Sequence, residues 1–127
     1  MRNVLRVTGR VALASLFLLG GTNKLASFGE TTARMAEAGL TPATPLLCAT
    51  IALEIVGGAL VATGRRFAVP ACLALAAFTL ATNAAFHEFW TYEGERRTSE
   101  LSLFFKNLSI AGALVYVAGM SLPPRPA

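Results

Sequence analysis

Aspartate is absent from this chain of 127 residues, histidine and tryptophan occur once each, and only 14% of the residues are charged. A soluble domain carries roughly a quarter charged residues. A chain so poor in charge could not cover its apolar content, 54% of all residues, with a polar surface. Cysteine is nearly as scarce. Cys48 and Cys72 form no CxxC pair and no cluster with the lone His87, which argues against a metal centre and against thiol exchange of the CxxC type. The formal charge of +4 is scattered along the chain instead of forming one basic stripe, so nucleic-acid binding is not expected.

What the chain has in abundance is long apolar runs, bounded by charge or by glycine and proline. They predict membrane spans over about residues 4–28, 44–64, 67–90 and 101–122, each long enough to cross a hydrocarbon core about 30 Å thick. The expected fold class is therefore all-α: a polytopic integral membrane protein, one domain over 1–127, built as a bundle of four transmembrane helices whose first partner is the lipid bilayer. Pro123 and Pro124 are expected to close the last span. Phe86, Phe89, Trp90 and Tyr92 gather where the third span ends, as aromatic residues do at an interface. The polar stretch 30–39 is moderately helical and suits the interface, whereas 91–100, with five charged residues, should be a solvated loop. Cys48 and Cys72 then fall near opposite membrane faces, too far apart for a disulfide, which needs Cα atoms within about 7 Å.

Basic residues set the orientation. Arg2, Arg6, Arg10, Arg65, Arg66 and Arg125 lie on one side, against Arg34, Arg96 and Arg97 on the other once the intramembrane Lys24 and Lys106 are discounted. Both termini are thus expected in the cytoplasm. Residues 1–27 also have the basic start and apolar stretch of a secretory leader. Losing them would strip Glu54 of a shielding helix, so a retained first span is the preferred reading.

Ionisable groups within a span cost about 2.5–3.5 kcal/mol on insertion scales, so they turn inward and seek partners. Glu54 lies near mid-membrane. Its face, read at four-residue steps, is Thr50, Glu54, Gly58 and Ala62, with Gly57 alongside: a surface whose small residues let another helix approach closely. In the third span, Cys72, Ala76, Thr79, Asn83 and His87 recur along one stripe. The fourth offers Lys106 and Asn107, and the first Gly20, Asn23 and Lys24. Rise per residue puts Lys106 about 7 Å and Glu54 about 15 Å below the outer surface, which predicts a Glu54–Lys106 ion pair ringed by Asn83, Asn107 and His87. Plainer readings stand beside it. Glu54 could sit in a purely structural pair, Lys106 could snorkel to the interface, and Lys24, nearer its helix end, is expected to do so. His87 suits a solvated or hydrogen-bonded histidine better than a metal ligand, and Gly57 and Gly58 suit helix packing.

The runs GRVALASLFLLGGTNKL (9–25), ALEIVGGALVATG (52–64), FHEFW (86–90) and FFKNLSIAGALV (104–115) together resemble the DoxX family over nearly the whole chain. The resemblance implies a four-helix bundle of the bacterial inner membrane, with Glu54, Gly57, Gly58, His87, Lys106 and Asn107 at the family's characteristic polar and small positions. It also implies the role of an oxidoreductase subunit, by relation to DoxD of a thiosulfate:quinone oxidoreductase, or a link to thiol or radical defence. The absence of paired cysteines departs from a thiol-exchange role.

Three functions follow as expectations. The first is a membrane subunit that binds quinone at the Glu/Lys/Asn site and takes electrons from a protein partner, since no intrinsic haem, flavin or iron–sulfur ligand set is evident. The second is a non-catalytic anchor or assembly factor. The third is a small transporter or proton pathway, which would need a homo-oligomer to make a pore.

Overall fold

The computed structural model describes residues 1–122, among which there are helices and no strands. The α-helices are α1 (Arg2–Ala26), α2 (Phe28–Glu37), α3 (Ala43–Thr63), α4 (Ala68–Phe86) and α5 (Gly94–Ser121), with a 3₁₀ turn at Phe89–Thr91. Four helices, α1, α3, α4 with the turn that follows it, and α5, are long and apolar enough to cross a membrane. Pro123, Pro124 and Arg125 lie outside the described residues.

Helix boundaries differ from the apolar boundaries where polar residues are good helix formers. α5 starts at Gly94, seven residues before the expected span at Leu101, so most of the expected solvated loop is the first two turns of a helix. Hydropathy marks where lipid begins, but Glu95, Arg96 and Arg97 favour helix as readily as leucine does. Glu95 in the first turn suits the positive end of the helix dipole, and Arg96 stacks over Tyr92, 4.0 Å from the ring centroid. At the other end of its span, α4 stops at Phe86.

α2 breaks from α1 at Ser27, whose hydroxyl donates to the Asn23 carbonyl at 2.9 Å and whose own carbonyl accepts from Thr31. Glu30, Arg34 and Glu37 face out, while Thr31 and Met35 turn toward the bundle. The α3 helix ends on Gly64, held at φ +62°, a left-handed conformation that glycine adopts at little cost.

In the bundle α1 packs on α3, α3 on α4 and α4 on α5, while α1 and α5 barely touch. Close approach rests on glycine. A Cβ on Gly58 would lie 3.1 Å from Leu18 and 3.3 Å from the Ala14 carbonyl oxygen, and one on Gly21 would lie 2.7 Å from Ile55. Gly57 faces the other way, against Leu75 of α4. α3 is thus pinched between two neighbours through adjacent glycines. The shared core joins Ala14 and Phe17, Val61, Cys72 and Leu75, and Ala111 and Leu114 from the four long helices. Large apolar side chains such as Leu19, Val56 and Val115 point outward, as lipid-facing positions do.

Candidate functional site

Glu54 is buried in the middle of α3, only 5% exposed. Its partner is Lys24 of α1. The Lys24 Nζ donates to Oε1 at 3.0 Å and lies 2.9 Å from Oε2. Despite that proximity Oε2 accepts no aligned hydrogen bond among the described residues, so the pair is an ion pair with one properly aligned bond and one buried oxygen held by charge alone.

The expected pairing with Lys106 is therefore corrected, and so is the expectation that Lys24 snorkels away. Side-chain direction is the reason. Ala14 and Leu18 meet Gly58 while Gly21 meets Ile51 and Glu54, so α1 and α3 run antiparallel. In a helix each Cα–Cβ bond leans toward the N-terminus. Lys24, near the C-terminal end of α1, leans inward. Glu54 on the opposing helix of the pair leans outward to meet it. Gly20 clears the space: a Cβ there would stand 3.0 Å from the Glu54 Oε1. Lys106 leans the other way along α5, is exposed, and belongs to a helix that makes no contact with α3.

The amides form a second unit. Asn107 Nδ2 donates to Asn83 Oδ1 at 3.0 Å, and Asn83 Nδ2 donates to the Phe104 carbonyl at 2.9 Å, tying α4 to α5. His87 does not join the ring around Glu54. It lies just past the end of α4, with Nδ1 2.8 Å from the Glu100 Oε2 on α5. Asn23 is exposed and also stays outside the site. Gly20, expected at the site with Asn23 and Lys24, contributes through its missing side chain, which admits the carboxylate; the residue that sequence reasoning missed is Glu100, expected in a solvated loop but carried on α5. The signal for Gly20 was its four-residue spacing from Lys24. Asn83 has a double role: Asn83→Ala removes the acceptor of the Asn107 amide and the tie to the Phe104 carbonyl, and is expected to lower unfolding stability by about 1–2 kcal/mol, read as a reduced thermal midpoint in detergent.

Between α1, α2, α3 and α4 lies a cavity of ≈ 470 Å³. Most of its wall is apolar, including Phe17, Met35, Leu47 and Phe78, while Lys24, Glu54, Thr50 and Asn107 supply polar groups. It opens the ion pair to a guest of mixed character. Among the described residues no group of three metal-ligating side chains occurs, and Cys48 and Cys72 are both free thiols.

Four spanning helices around a buried ion pair define a small integral membrane protein. The DoxX family pattern matches residues 5–88, which takes in most of α1 and all of α2, α3 and α4, and so both members of the Lys24–Glu54 pair. The chain is also 32% identical over 119 residues to inner membrane protein YphA of Escherichia coli (strain K12), a match covering 92% of this chain and 83% of that protein. No solved structure matches it. The chain belongs to the DoxX family.

Proposed function

We propose that this protein binds a lipid-soluble quinone in the cavity beside Lys24 and Glu54 and acts as a membrane subunit of an oxidoreductase system, with electrons supplied by a protein partner. The observation behind this reading is the Glu54 Oε2, a buried acceptor without an aligned hydrogen bond among the described residues, on a residue that lines an apolar cavity. Quinones and quinols combine a carbonyl or hydroxyl head with an apolar body. The Lys24 ammonium has three donors, one of them committed to Glu54, and can donate to a carbonyl. The Glu54 carboxylate can accept from a hydroxyl and serve as the local proton acceptor. The bacterial inner membrane, with both termini cytoplasmic, is the proposed location. The arginine distribution and the name of the relative support it.

The test is titration of the purified protein with a short-tailed ubiquinone or menaquinone analogue. Saturable binding, weakened about tenfold or more in a folded Glu54→Gln variant, is expected, because a charge-assisted hydrogen bond contributes about 1.5–3 kcal/mol. Absence of binding, or unaltered affinity in Glu54→Gln, would reject the reading.

A second reading, an anchor or assembly factor, is favoured by the way Asn83, Asn107 and His87 find partners within the bundle. Under it, a folded Lys24→Met/Glu54→Gln protein would still complement a deletion strain.

A further inference from the structure

The far end of the bundle holds a second, larger opening of ≈ 700 Å³, in the groove where α1 and α5 barely touch. Arg2, Arg6 and Arg10 line it from α1 at four-residue intervals, one face of a helix. Its other walls are apolar, with Leu13 below the arginines and Val117, Met120 and Tyr116 across from them on α5. Among the described residues no acidic side chain lines the groove. All seven glutamates lie elsewhere: six belong to α2 and the segment 88–100, and the seventh is Glu54.

Arg10 is the innermost of the three. Its guanidinium packs over Gly64 at the C-terminal end of α3, in space that any side chain at position 64 would fill. The Arg10 Nε is buried and, among the described residues, has no hydrogen-bond partner. Arg65 and Arg66 follow directly in sequence, so Arg10 marks the level at which α3 leaves the hydrocarbon. From Arg10 to Arg2 the helix rises about 12 Å, enough to span a headgroup layer. Arg10 and two more arginines therefore stand at phosphate depth, above an apolar trough.

We propose that this groove is a binding site for an anionic glycerophospholipid. Its phosphate is held by Arg6 and Arg10, Arg2 attracts the headgroup, and one acyl chain lies along Leu13 and Val117 between α1 and α5. Charge complementarity selects this occupant. A neutral lipid or the apolar face of a second copy would leave three arginines without counter-charge, and free phosphate would leave the trough bare. With the cytoplasmic orientation proposed above, the groove faces the leaflet where juxtamembrane basic clusters meet anionic lipids. The site is independent of the quinone reading, since it shares no lining residue with the other cavity.

Native mass spectrometry of the full chain, delipidated and then given equal amounts of phosphatidylglycerol and phosphatidylcholine with matched acyl chains, tests this. The wild-type protein should retain phosphatidylglycerol in preference, and each arginine lost from Arg6 and Arg10 should reduce the preference by about fivefold. Arg2→Gln/Arg6→Gln changes exposed positions only and keeps the test valid if Arg10→Gln fails to fold. Arg65→Gln/Arg66→Gln, outside the groove, should leave the preference in place. Equal retention of both lipids, an undiminished preference in the Arg6 and Arg10 variants, an equal loss in the Arg65/Arg66 variant, or a lipid-free dimer mass would each overturn the proposal.

Discussion

Lys24→Met is expected to destabilise the protein by about 2–3 kcal/mol, more than Glu54→Gln does. Removing one member of a buried ion pair leaves the other uncompensated, at a cost of about 3–5 kcal/mol in dry interiors. The expected value here is lower because the Lys24 side chain is 31% exposed. The asymmetry follows from the same exposures. Without Glu54 the lysine can swing toward water, whereas without Lys24 the carboxylate, 6% exposed, has nowhere to go. Replacing both, Lys24→Met/Glu54→Gln, should recover most of the loss, since an apolar or neutral substitute for a whole buried pair is often close to neutral. Thermal unfolding of the four proteins in one detergent, treated as a double-mutant cycle, reads all three expectations. Equal losses in the two single variants would show that the pair is open to water on both sides.

The second large effect is steric. Gly58→Leu should cost about 3 kcal/mol, the upper end of the range for overpacking, because its Cβ would meet a backbone oxygen of α1, Ala14, at 3.3 Å as well as the Leu18 side chain. The carbonyl can retreat only if α1 moves with it, and that movement would also part Lys24 from Glu54. At Gly57 the atoms nearest to an added Cβ all belong to the Leu75 side chain, which can change rotamer. The expected cost of Gly57→Leu is nearer 1 kcal/mol. If the Gly57 variant proves the more fragile of the two in a denaturation series, the α1–α3 contact is not the tight one.

Four spans, their approximate ends and the inward turn of Glu54 were legible in the sequence because lipid imposes a coarse and strong rule: apolar outside, polar inside, for about 20 residues at a time. The partner of Glu54 was not legible from depth alone. Depth along the membrane normal favours Lys106 and leaves Lys24, nearer its helix end, to snorkel; the observed pairing turns on two things that hydropathy does not record. One is the lean of side chains toward each helix N-terminus, which points Lys24 at Glu54 and Lys106 away from it. The other is helix adjacency: α3 packs between α1 and α4, while α5 reaches only α4 among its large contacts. His87 was misplaced for a related reason. Once α5 is seen to begin at Gly94, Glu100 is a helical residue opposite the end of α4, and the histidine has a nearer carboxylate than Glu54. The roles of Gly57 and Gly58 differ from a single packing face, since each serves a different neighbour.

Lys24 and Lys106 are the chain's two lysines, which makes the central contact directly measurable. With lysine labelled with ¹⁵N at Nζ and glutamate with ¹³C at the carboxylate, dipolar recoupling by solid-state NMR in bilayers should detect a lysine–glutamate contact in the Lys106→Arg protein, at the strength set by nitrogen–oxygen separations of 2.9 and 3.0 Å. The contact should vanish in Lys24→Arg. A signal that survives in Lys24→Arg and disappears in Lys106→Arg would contradict the account.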